Sequence, residues 1–103
     1  MSSRNFRDGR MIYAFLNECG RVKIGYSAQY HKRIESIENL GGTKIVKVFL
    51  TQKYTNAPIM ERRIHDSLIE YKAFGEWFNI PFDMAISKIN EIVSEMGDTA
   101  STT

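Results

Sequence analysis

The stretch Met11-Ile12-Tyr13-Ala14-Phe15-Leu16-Asn17-Glu18-Cys19-Gly20-Arg21-Val22-Lys23-Ile24-Gly25-Tyr26 decides the fold. Two β-rich runs, 11–16 and 22–26, flank Asn17-Glu18-Cys19-Gly20, whose side chains favour a turn, so the segment reads as a β-hairpin. Side chains alternate across a strand. Ile12, Ala14 and Leu16 therefore share a face with Val22, Ile24 and Tyr26, which marks the core side. Tyr13 and Phe15 fall on the other face, beside Lys23, Gly25 and Ser27. A tyrosine and a lysine together on the less apolar face of a hairpin mark the first candidate site.

Working outward, Ser27 is a good N-cap for a helix over 28–40 with Tyr30, Ile34, Ile37 and Leu40 on one stripe, and Gly41-Gly42 ends it. Lys44 to Leu50 is a third strand, and 51–56 a polar connection. A second helix runs from Ala57-Pro58 to about Tyr71, with Ile64, Leu68 and Tyr71 buried. Lys72 to Gly75 reads as a loop and 76–80 as a short extended segment. Pro81 opens a third helix to about Met96, burying Met84, Ile89, Ile92 and Val93. The expected architecture is a small α/β (α+β) domain: a central antiparallel three-stranded sheet flanked by about three helices.

The 103 residues, 43% hydrophobic and 25% charged, suffice for one domain and one core. That domain is expected over 11–96, between a flexible basic arm at 1–10 and a disordered polar tail at 97–103. The net charge of +2 is too small to argue nucleic-acid binding, but the arm concentrates Arg4, Arg7 and Arg10 against Asp8. Such an arm either follows phosphates or is a solubilising, frayed terminus. The lone Cys19 excludes an intrachain disulfide and fits a reducing, cytoplasmic setting, a host cell's cytoplasm if the chain is phage-encoded. No run is long and apolar enough for a membrane span, so no membrane partner is expected.

Met11-Ile12-Tyr13 followed by Lys23-Ile24-Gly25 resembles the two halves of the GIY-YIG nuclease motif. Arg33, ten positions after Lys23, stands where that superfamily places an arginine on its first helix. Glu61, in Pro58-Ile59-Met60-Glu61-Arg62-Arg63-Ile64-His65, resembles its metal-binding glutamate, and Asn79 is similar to an asparagine of its homing-endonuclease members. The pattern Lys23-Ile24-Gly25-Tyr26-Ser27, helical Arg33, Glu61 with His65, and Gly75-Glu76-Trp77-Phe78 is similar to that of small phage and microbial DNA-binding domains of the superfamily. It covers about residues 11–82. Met11 replaces the usual Gly, and Lys23 the usual Tyr.

The resemblance implies a metal-dependent DNA endonuclease domain, of phage or mobile-element type, that hydrolyses phosphodiester bonds. Glu61 would hold one Mg²⁺ or Mn²⁺ ion, which stabilises the leaving oxygen. Arg33 would grip non-bridging phosphate oxygens with its planar fork. Tyr13 would take the proton of the attacking water, help worth about 10²–10⁴-fold. An unperturbed tyrosine is too weakly acidic for that task near neutrality, and Lys23 across the hairpin is expected to favour the phenolate. His65, one turn beyond Glu61, is expected to bind phosphate or orient water. Arg10, Lys32, Arg62 and Asn79 are the candidate DNA contacts, with Arg63 beside them. Each residue also has an ordinary structural reading: a strand aromatic, a solvated helix charge, a surface ion pair. Two alternatives stay open, an inactive DNA-binding module on the same scaffold and a protein-interaction module. A homodimer or protein partner is the expected source of any site specificity.

Overall fold

A computed structural model describes residues 9–101. Most of the expected basic arm, including Arg4 and Arg7, lies outside the described residues. The chain forms β1 (Arg10–Asn17), β2 (Val22–Ser27), α1 (Tyr30–Gly41), β3 (Ile45–Tyr54), α2 (Ala57–Ser67), a 3₁₀ turn (Ile69–Tyr71), β4 (Lys72–Phe74), β5 (Trp77–Phe78) and α3 (Phe82–Ser101). All strand pairs are antiparallel, in the order β3-β1-β2-β5-β4.

The expected three-stranded sheet is thus corrected to five strands in an α+β fold. The addition comes from 72–78, where a loop and an extended segment were expected. Gly75 adopts φ +55°, folding β4 back on β5, and β5 pairs with β2 through Val22 with Phe78 and Lys23 with Trp77. Strands of two and three residues are too short for alternation to announce them. The second helix correspondingly stops at Ser67, and the third strand runs on to Tyr54.

The hairpin turn is built by Asn17, whose buried side-chain oxygen accepts the backbone N–H groups of Cys19 (3.1 Å) and Arg21 (2.9 Å). Gly20 supplies the left-handed residue at φ +89°. The core forms on the expected face, where Ile12, Ala14, Val22 and Ile24 meet Ala57, Met60 and Ile64 of α2 and Ala85, Ile89 and Ile92 of α3.

The opposite face is less polar than expected. Tyr13 and Phe15 are both buried, their rings stacked 4.0 Å apart. By contrast α1 buries no residue completely and leaves Leu40 86% exposed, so its apolar stripe shields that face only partly. Tyr71 and Met84 are also exposed, because the helix breaks before the first and the second lies off the inner face of α3. The expected domain boundary at 96 falls within α3. Gly97 is buried, with so little room beside Tyr54 that an added Cβ would lie 3.0 Å from its ring, and the helix continues past this contact to Ser101. Among the described residues, no helix is long and apolar enough to cross a membrane.

Candidate active site

Tyr13 and Gly25 are direct partners across the β1–β2 ladder. A Cβ on Gly25 would stand only 2.7 Å from Tyr13 Cζ and closer still to its hydroxyl. The tyrosine therefore lies across the bare backbone of Gly25, and the missing side chain admits the phenol. This carries the hydroxyl toward the outer side of β2, the same place that Glu76 Oε1 approaches to 3.2 Å. β5 pairs with β2 only at Val22 and Lys23, and one more bond joins Ile24 N–H to the Glu76 carbonyl.

α2 supplies the opposing wall. Its Ala57, Met60 and Ile64 enter the core, and that stripe leaves Glu61 and His65 at the rim, half-buried. His65 Nε2 lies 2.8 Å from the Ile24 carbonyl oxygen. A carbonyl only accepts, so Nε2 carries the proton and donates it there. The imidazole also meets the Phe78 ring edge-on, with centroids 4.8 Å apart, and its Nε2 stands 3.8 Å from Glu61 Oε2. His65 thus ties α2 to the edge of β2.

Tyr13, Tyr26, Arg33, Glu61 and Glu76 line one pocket of ≈150 Å³. Three residues singled out from the sequence, drawn from β1, α1 and α2, come together in it. Glu76 and Tyr26 join them and were not anticipated as site residues. Glu76 had a signal: it lies in the Gly75-Glu76-Trp77-Phe78 segment, beside a strand that pairs with cationic Lys23.

Lys23 departs from its expected task. Its ammonium is 3.3 Å from Glu76 Oε1 and 5.4 Å from the centre of the Trp77 ring, and the Tyr13 phenol is raised, not lowered. Burial pushes the Tyr13 phenol above its ordinary value, Glu76 adds to the rise, Arg33 opposes it, and Glu61 adds further. The expected lowering of Tyr13 by Lys23 is therefore corrected. Glu61 is also raised, chiefly by burial; His65 opposes the rise, Glu76 adds to it by charge and hydrogen bonding, and Lys23 opposes it.

Arg33 reaches beyond the pocket. It also lines a groove of ≈380 Å³ with Lys32, Ser27 and Gln29, and another of ≈450 Å³ with Arg21, Lys23, Leu40, Phe74 and Trp77. Arg33 thus has Lys32 in one groove beside it, and Arg21, Lys23 and the rings of Phe74 and Trp77 in the other. Arg62 is exposed on α2, and Arg10 begins β1, its side chain 3.4 Å from the Gly9 carbonyl. Asn79 is exposed and accepts a hydrogen bond from Arg21 Nε at 3.1 Å, outside the residues that line the pocket.

Among the described residues, no group of three or more His, Cys, Asp or Glu is arranged to hold a metal ion. The carboxylates of Glu61 and Glu76 nevertheless suit a hard cation of the Mg²⁺ kind, which takes one or two carboxylates and keeps several waters. The buried Tyr13 hydroxyl facing the same pocket is a further hydrogen-bonding group for such waters.

One family model, the T5orf172 domain, matches residues 10–97. No curated protein and no solved structure gives a match.

Proposed function

This chain belongs to the T5orf172 domain family, a nuclease-associated, GIY-YIG-like group, and from that premise we propose that it is a metal-dependent DNA endonuclease domain. What supports the reading is the meeting of Tyr13, Arg33 and Glu61, from three separate elements, in one small pocket. A phenol, a guanidinium and a carboxylate can supply the base, the phosphate clamp and the metal ligand that phosphodiester hydrolysis uses.

In this mechanism Glu61 would hold the cation. A bound Mg²⁺ or Mn²⁺ supplies Lewis-acid stabilisation of the charge that develops on phosphate and leaving oxygen. Arg33 grips the non-bridging oxygens and, being shared with the neighbouring grooves, leads the strand across α1 toward Lys32. Water attacks phosphorus, the bond to the leaving oxygen breaks, and the water proton passes to Tyr13. Burial, Glu76 and Glu61 disfavour the phenolate that would accept it, and Arg33 favours it. Tyr13 therefore becomes a competent base only once the carboxylates' charge is offset. Lys23 serves the site by pairing with Glu76.

A plasmid-nicking assay tests the proposal. Wild-type protein nicks with Mg²⁺ and not with EDTA, and Glu61→Ala loses at least about 10²-fold of that activity with unchanged circular dichroism. Undiminished nicking by the variant removes the assignment. A second reading, a DNA-binding module that does not cut, draws support from the raised Tyr13 and from Lys23 in place of a second tyrosine. A salt-sensitive gel shift with no nicking under any divalent cation selects it.

A further inference from the structure

We propose that Glu76 is a second carboxylate ligand of the cation site, so that the ion is held between α2 and the β4–β5 turn rather than by Glu61 alone. The inference rests on the metal-dependent reading of the pocket and adds a residue to it.

Three observations carry it. First, Glu61 and Glu76 line the same ≈150 Å³ pocket, so their charges share one small enclosure. Two carboxylates so close repel unless a proton or a cation stands between them. Second, Lys23 engages Oε1 of Glu76 at 3.3 Å from one side. One oxygen is thus anchored, and the carboxyl group keeps a second oxygen for a ligand. Third, the Tyr13 side chain is 1% exposed and lines this pocket, and its hydroxyl is not a fully enclosed atom left without a partner. A phenol held this deeply meets, at its hydroxyl, whatever fills the pocket. A hydrated divalent cation answers all three: it relieves the repulsion, takes the remaining carboxylate oxygens, and offers a water to the phenol.

The ordinary alternative is that Glu76 only closes a surface ion pair with Lys23. Binding of Mn²⁺ to the full chain, followed by the electron-spin resonance of free Mn²⁺ without DNA, separates the two. Glu61→Gln and Glu76→Gln are each expected to weaken Mn²⁺ by at least about tenfold, as loss of a metal-site partner does. Glu70→Gln, on the 3₁₀ turn, is expected to leave affinity unchanged. If Glu76→Gln binds Mn²⁺ as tightly as wild type while Glu61→Gln does not, the second ligand is refuted and the single-carboxylate site stands. If wild type binds no Mn²⁺ at millimolar concentration, the metal-dependent reading falls as well. A titration of wild-type protein with Mg²⁺, read by carboxyl ¹³C resonances, needs no variant. The Glu76 and Glu61 signals are expected to move with one midpoint, and an unmoved Glu76 overturns the proposal.

Discussion

At Gly25 a single methyl group would meet Tyr13 Cζ at 2.7 Å. Gly25→Ala is accordingly expected to lower stability by about 1–3 kcal/mol, the usual cost of overpacking a filled interior, read from the denaturant midpoint. In a Tyr13→Ala background most of that cost should vanish; equal costs in both backgrounds would refute the crossing of phenol over glycine. Glu61 carries a pH signature. Its folded-state value is raised, so the stability it contributes is complete at low pH and is lost as pH rises through its titration. Without metal, the denaturation midpoint of Glu61→Gln relative to wild type should rise as pH climbs from below the usual carboxylate range to neutrality. A difference that falls over that span contradicts the shift. At this scale the sequence was only partly readable. It placed Tyr13 and Gly25 on one face of the hairpin, but not the phenol lying across the bare glycine. It also marked Lys23, yet the partner of that ammonium is Glu76, more than fifty positions away (76 − 23). Which cross-chain charge a lysine meets is a tertiary fact with no local signature.

Among the elements, the hairpin was legible because alternation and turn chemistry agree, and the Asn17 amide shows what holds its turn. Asn17→Ala leaves two backbone N–H groups without their acceptor. It should cost about 1–3 kcal/mol in urea denaturation, whereas a loss under a few tenths would mean that water replaces the amide. The end of α1 was also legible, since Gly42 at φ +68° stops it, whereas α2 ends before its expected position and α3 beyond it. The depth to which α1 is buried was not. Its apolar stripe has helical spacing, but no residue of it is fully buried. Leu40→Ser should accordingly change stability by no more than about 0.5 kcal/mol, and a larger loss would place Leu40 under cover. β4 escaped notice, and β5 was read only as part of an extended segment without its pairing, because two or three residues hold no period and their pairing is set by the strand they join.

For the molecule as a whole, the net charge of +2 argues for shallow electrostatics. Cationic groups gather around Arg33, with Lys32 on one side and Arg21 and Lys23 on the other. If two to four phosphates are neutralised, log Kobs for DNA should fall against log salt with a slope of about −2 to −4, and Arg33→Ala should flatten it by about 1. A slope that does not change would remove Arg33 from the contact. Most of the core was readable because it follows from periodicity, whereas the sheet has five strands and not the expected three. The pocket was half readable, since Tyr13, Arg33 and Glu61 lie on strongly patterned elements and Glu76 does not. The seam that carries Glu76 is also thin, two paired positions and one further bond to Ile24. Amide protons of Trp77 and Phe78 should therefore exchange with solvent sooner than those of Tyr13 and Ala14 in the doubly flanked β1. Each such breathing event removes one wall of the pocket, so the lifetime of the closed seam sets how long Glu76 stays gathered with Tyr13, Arg33 and Glu61.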